Sequence, residues 1–78
     1  MKAFVGITGT DEKQVSAVAG RLASIEGVDE AIELAGPLDL MLRVSSDSAS
    51  GMSRIMERIK ATEGVMSATS YLVIGESK

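Results

Sequence analysis

Asp39 is the residue in this chain with the most chemistry to offer. It stands near the start of the apolar run Leu38–Val44, three residues after Gly36. A carboxylate drawn partly out of water needs donors. Two roles fit it. It accepts from backbone amides of the Gly36-Pro37-Leu38 turn, or it holds a ligand's ammonium group beside that turn. Ser67, Thr69 and Ser70 form the second candidate set, in the otherwise apolar segment that closes the chain. Hydroxyls there solvate a strand surface, or they bind a carboxylate or amide beside the turn of a neighbouring subunit.

Other chemistries lack their residues. There is no His and no Cys. That removes the commonest general base, thiolate nucleophiles and the usual zinc ligands. Gly6, Gly9 and Gly20 match neither dinucleotide-binding nor phosphate-loop spacing. The eleven carboxylates are scattered in positions that suit helix caps and solvated turns. No metal site and no cofactor is expected, and no enzyme. Arg54 and Arg58 share a helix face and Lys60 suits a helix C-terminus. With a net charge of −3 and only one Phe and one Tyr, direct contact with nucleic acid is not expected. No apolar run reaches the roughly 18 residues of a membrane span. Met1-Lys2-Ala3 leads straight into a strand pattern without a signal-peptide core. The expected location is the cytoplasm.

The elements that must position these residues come in two copies. IEGV at Ile25–Val28 returns as TEGV at Thr62–Val65, an offset of 37 residues (64 − 27). Ala3, Val5 and Ile7 land on Leu40, Leu42 and Val44. Val15, Val18 and Leu22 land on Met52, Ile55 and Ile59. Each copy pairs an alternating strand pattern with a helical stripe. The spacing predicts strands over Lys2–Thr8, Val28–Ala35, Leu38–Val44 and Val65–Ile74. Helices are predicted from Thr10 or Asp11 to about Ile25, and from the Ser45–Ser48 loop to Gly64. The tail Gly75–Lys78 is expected to fray. The order βαββαβ with right-handed crossovers gives an α+β, ferredoxin-like plait. Its four-stranded antiparallel sheet carries both helices on one face, with the two first-of-repeat strands in the middle.

The second sheet face then meets water or a partner. Phe4 and Met41 are expected on it, and Tyr71 on an apolar outer strand. A face of that kind suggests a second subunit. At 78 residues a lone copy buries little surface, and with no cysteine, oligomerisation is the remaining common route to stability.

The run GPLDLMLRV at Gly36–Val44 resembles the signature of the effector-binding domain of Lrp/AsnC regulators, also called the RAM domain. IEGV, the GPLD turn, TEGV and the closing SATSYLVI strand fall in the family's order. The resemblance covers essentially the whole chain. ACT domains share the plait and also bind amino acids between subunits, but the GPLD turn fits the Lrp/AsnC pattern better. The resemblance implies sheets packed face to face in dimers, and dimers assembled into rings such as octamers. It implies amino-acid effectors bound between dimers. Carried over by position, the turn residues are Ala35, Gly36, Pro37, Leu38 and Asp39, and the last-strand residues are Ser67, Thr69 and Ser70. Leu38 stands where the family usually has Tyr or Phe, which alters ligand contacts. Pro37, Leu38 and Met41 would make an apolar wall suited to uncharged or branched side chains.

Full regulators place a helix-turn-helix before this domain, and this chain begins at the first strand. Residues 1–78 are expected to be one ligand-binding and oligomerisation domain, either stand-alone or a fragment of a longer chain. It would sense an amino acid and modulate transcription by assembling with full-length relatives. The alternatives are a purely structural oligomerisation domain, or a small-substrate enzyme on a ferredoxin-like dimer.

Overall fold

The structure, a computed structural model, describes residues 1–77. The end of the tail expected to fray therefore lies outside the described residues. The chain forms strand β1 (Lys2–Thr8), helix α1 (Val15–Ala23), strands β2 (Val28–Glu33) and β3 (Leu40–Ser45), helix α2 (Ala49–Lys60) and strand β4 (Ser67–Leu72). All strand pairs are antiparallel, in the order β2-β3-β1-β4. This is the ferredoxin-like α+β plait, with the first strand of each repeat in the middle.

Strand β1 has its expected bounds, and the other elements are shorter than the runs that predicted them. Asp11 accepts the Lys13 amide at 3.0 Å, and this bond to the second residue on tightens the entry turn. Glu12–Gln14 is therefore a 3-10 turn, and α-helical bonding starts at Val15. Strand β2 stops at Glu33 and β3 starts at Leu40, two residues inside the expected bounds. Pro37 has no amide to donate and Gly36 has φ +150°, so the connection opens into a wider turn. Strand β4 begins at Ser67 because the Val65 amide is held by the Thr62 carbonyl at 3.1 Å. The Ser45–Ser48 loop caps α2 through Ser48, which accepts from the Gly51 amide at 3.0 Å.

The repeat is visible in the packing. Val5 pairs directly with Leu42, its own repeat equivalent, so the pseudo-twofold axis passes between β1 and β3 at that pair. Val5, Ile7, Leu40, Leu42 and Val44 face the helices and are fully buried or nearly so. Val18, Leu22, Ile55 and Ile59 meet them from above, with Val15, Ile25, Met52 and Met56 half-buried around them. Each fully buried aliphatic side chain contributes about 1.5–3 kcal/mol.

Gly27 and Gly64 end the two helical segments with φ +99° and +97°. Each repeat's glycine lies under the other repeat's helix. A Cβ on Gly27 would overlap Ile55, and one on Gly64 would overlap Val18. Ile55 is the repeat equivalent of Val18, so the two contacts exchange under the pseudo-twofold. Gly64→Ala is expected to cost roughly 2–4 kcal/mol, from left-handed backbone strain and overpacking. Gly20 sits in α1 with nothing within 4 Å of an added Cβ, and Gly20→Ala should gain about 0.5–1 kcal/mol. Urea midpoints at one protein concentration check both. A Gly64→Ala protein as stable as the parent would remove the close approach from the stability of the fold.

Candidate functional site

With both helices on one side, the other side of the sheet is open. Cross-strand pairing sets its side chains in rows. One row runs Glu30, Arg43, Phe4, Tyr71. A register shift between Val28 and Glu30 brings Glu30 opposite Arg43, and the two bond at 3.0 Å. Both side chains are at least half exposed, so the pair is worth less than about 1 kcal/mol. Phe4 is 42% exposed and Tyr71 54% exposed, two large rings side by side in water. The next row runs Ile32, Met41, Gly6, Thr69. Ser67 follows Thr69 on the same face, opposite Thr8. The structure thus gathers Phe4, Met41, Tyr71, Ser67 and Thr69 on one surface.

Ser70 is not among them. It pairs with Val5, which faces the helices, and it lines a 440 Å³ groove beside Met52, Met56 and Leu72. The period of two along a strand separates it from Thr69 and Ser67. Sequence proximity had grouped three hydroxyls that the fold divides between two faces.

The turn Leu34–Asp39 joins the two repeats above the open face. Ala35, Gly36 and Pro37 are exposed, and nothing lies within 4 Å of a Cβ on Gly36. Leu38 folds back onto the sheet. A Cβ on Gly6 would stand 3.1 Å from both Leu38 Cδ atoms, so Leu38 covers the gap that Gly6 leaves.

Asp39 is half-buried, and its carboxylate finds its donor outside the turn. Oδ2 accepts the Thr10 amide at 3.0 Å. The Thr10 hydroxyl donates to the Gly64 carbonyl at 2.9 Å, and Thr10 is only 9% exposed. The Asp39 amide donates to the Ile7 carbonyl at 2.8 Å, and its carbonyl accepts from the Leu34 amide at 3.0 Å. One residue therefore ties the turn to β1, to the loop before α1 and, through Thr10, to the connection before β4. Turn amides at 36–38 had been the expected structural donors, and the donor is Thr10 instead.

None of the turn residues lines either of the two concavities described next. A 670 Å³ cleft lies between Glu26, Asp29 and Asp47 on one side and Arg54 and Arg58 on α2. The 440 Å³ groove lies between α2 and β4. Among the described residues, no three His, Cys, Asp or Glu side chains gather as a metal site would need. No helix among them is long and apolar enough to cross a membrane. Gly6, Thr10 and Ile32 were missed as site residues. Gly6 carried a signal, because a glycine inside a central strand marks a close approach.

These features define a class: a ferredoxin-like plait with one sheet face uncovered and a turn pinned above it. The Lrp/AsnC ligand binding domain matches residues 2–78, and the chain belongs to that family. A homocitrate synthase of Saccharolobus islandicus is 30% identical over 74 residues, which cover 95% of this chain and 16% of the synthase. The chain therefore spans about a sixth of the curated relatives it matches. TTHA0845 from Thermus thermophilus superposes with a TM-score of 0.87 at 24% identity, covering 99% of this chain and 96% of that one. AsnC from E. coli superposes with a TM-score of 0.86 at 20% identity, covering 96% of this chain and 51% of AsnC.

Asp39→Ala leaves the Thr10 amide half-buried without its acceptor, and should cost about 1–3 kcal/mol. Asp39→Asn keeps an acceptor oxygen and should cost less than half as much. Urea midpoints measure both. Equal losses in the two variants would mean that charge, not the Thr10 bond, is what the carboxylate supplies.

Proposed function

We propose that this chain is an amino-acid-sensing module that works by assembling, with no catalysis of its own. One observation carries the reading. Modules of this family and length sit in chains of different kinds, about half of the AsnC chain and 16% of a homocitrate synthase. A transcriptional regulator and a homocitrate synthase have different activities. What the two settings can share is a regulatory response to a small molecule.

The geometry supports the same reading. The folded surface is 5160 Å², against roughly 11,700 Å² for an extended chain of 8.1 kDa. A single copy buries little more than half of its surface. Covering the face that bears Phe4, Met41 and Tyr71 with a second copy adds the burial that the monomer lacks. Two such faces in contact make a dimer, and dimers associate further into a ring such as an octamer. The effector sits between dimers, against Ala35, Gly36, Pro37, Leu38 and Asp39. Backbone amides of the turn hold its carboxylate, and the Ser67 and Thr69 hydroxyls lie on the same face. Ser70, which faces α2, reaches the effector only through the groove beside that helix. Asp39 both ties the turn and presents its second oxygen to the effector's ammonium. The module works in the cytoplasm, tuning the assembly of full-length Lrp/AsnC relatives.

A second reading has one observation in its favour. Neither concavity in a single copy includes the turn, as expected of a purely structural oligomerisation domain. Light scattering coupled to size-exclusion chromatography separates the two. The parent protein is expected to elute above dimer mass, and one standard amino acid should shift that mass. Tyr71→Asp should elute nearer the monomer mass of 8.1 kDa. A mass indifferent to every amino acid would leave the structural reading, and a monomeric parent would sink both.

A further inference from the structure

We infer that the cleft between α2 and the end of β3 is a binding site for a short zwitterionic peptide. The peptide's ammonium goes to the carboxylates of Glu26, Asp29 and Asp47, and its carboxylate to the guanidinium groups of Arg54 and Arg58. The cleft lies beside α2, on the helix side of the sheet, at the end of β3 opposite the turn. It is thus apart from the face that a second copy would cover, and it does not depend on the sensing function proposed above.

The pseudo-twofold sets a matching place in the other half of the molecule, and that place is sealed. There the Thr10 hydroxyl donates to the Gly64 carbonyl and Arg21 donates to the Glu63 carbonyl at 3.1 Å. Met66 stands so close to Gly9 that an added Cβ would overlap it. On the 37-residue offset the equivalents of Thr10, Arg21 and Met66 are Asp47, Arg58 and Asp29. Asp47 has no proton to give the Gly27 carbonyl, which takes the Ser45 amide. The Arg21 bond has no counterpart at Arg58 among the described residues. Asp29 turns to the Ser45 hydroxyl at 2.8 Å. Arg54 stands where the sealed half has Ala17. Asp47, Asp29 and Arg54 therefore each put a charge where the other repeat has none, and all three line one cleft.

These opposite charges do not meet. Among the described residues the ion pairs are Lys2 with Glu76 and Arg43 with Glu30. No carboxylate of the cleft reaches Arg54 or Arg58 within 4.0 Å. Between the walls lie Gly27, Gly51 and the buried Ile55, an uncharged floor of low dielectric that focuses the field of the charges around it. Arg54 and Arg58 stand four residues apart on one helix face and can hold a single carboxylate between them. Three carboxylates match the three N–H donors of an ammonium. A simple anion would meet the acidic wall, and a simple cation would meet the arginines. A molecule charged oppositely at its two ends satisfies both walls. At 670 Å³ the cleft falls in the size range of sites for drug-sized ligands, which leaves room for peptide units between the two ends.

An NMR titration that follows the backbone amides of the full chain tests this, at low ionic strength because exposed charges are screened by salt. The probes are triglycine, N-acetyl-triglycine, triglycine amide and glycine itself. The proteins are the parent and the double variant Arg54→Gln with Arg58→Gln, each checked for its thermal midpoint. Triglycine should shift the amides of Gly27, Asp47 and Gly51. Acetylation, amidation and shortening to glycine should each weaken binding by about fivefold or more. The double variant should bind triglycine as weakly as the parent binds the amide, and amidation should then cost nothing further. Blocked peptides that bind the parent like triglycine overturn the zwitterion, and glycine binding as tightly overturns the peptide. A double variant that still discriminates against the amide overturns the arginine wall. If that variant fails to fold, Glu26→Gln with Asp47→Asn decides: acetylation should cost it less than it costs the parent, and an undiminished cost overturns the acidic wall. Shifts confined to residues 36–39 place the peptide at the turn and overturn the cleft site. No shift with triglycine also overturns it, and leaves the sensing function standing.

Discussion

Gly27 and Gly64 carry the two close approaches on which the remaining geometry depends. Each ends a helical segment in the left-handed region, and each lies under a β-branched residue of the opposite helix, Ile55 or Val18. Only glycine accepts both conditions at once. The helices can then sit low enough for Leu22 and Ile59 to reach Val5 and Leu42 across the pseudo-twofold axis, and all four are fully buried. A larger residue at either position would raise one helix and open the core beneath it. Voids of that kind are costly because protein interiors are close-packed.

Putting both helices on one face decides where everything else can go. The outer strands differ in character as a result. Strand β2 carries Asp29, Glu30 and Glu33, and all three find partners within the fold: Asp29 on the Ser45 hydroxyl, Glu30 on Arg43 and Glu33 on the Ser16 hydroxyl. Strand β4 carries no charge, and its margin holds Met66, Tyr71, Leu72 and Ile74 in exposed positions. Charged side chains on an edge strand discourage pairing, and an uncharged apolar edge invites it. The molecule is thus guarded along one edge, and unguarded along the other and across the open face.

The sequence made the frame legible because the frame repeats. The 37-residue offset placed β1 and β3 side by side, and it named Val18 and Ile55 as equivalents before their contacts were known. Alternation alone sent Phe4 and Met41 to the open face. What it missed depends on contacts between residues far apart in the chain. Thr10 is the donor to Asp39 because two loops meet, 29 residues apart. No local pattern announces that meeting. Ser70 was grouped with Ser67 and Thr69 because composition ignores the face a strand residue takes. That face was fixed only by the register of β4 against Val5. Strand ends were overestimated because apolar character continues into turns that Pro37 and the Thr62 carbonyl bring to an early close.

The place where the two repeats stop matching is also where the candidate site lies. Gly27 and Gly64 are equivalent, yet their carbonyls are used differently. The Gly27 carbonyl accepts the Ser45 amide, a bond that any residue except proline could make at 45. The Gly64 carbonyl accepts the Thr10 hydroxyl, which requires that side chain, and Thr10 in turn holds Asp39. The repeat equivalent of Thr10 is Asp47, which is exposed beside the polar cleft. One half of the molecule is therefore sealed by a chain of side-chain bonds that begins at the turn, and the other half is open at the corresponding place. Thr10 thus connects Asp39 to Gly64, at the start of the segment that leads into β4, the strand with the exposed edge. The asymmetry rests on Thr10, whose repeat equivalent is Asp47. Thr10 ties the turn between the repeats to the margin of the sheet through two hydrogen bonds of 3.0 and 2.9 Å.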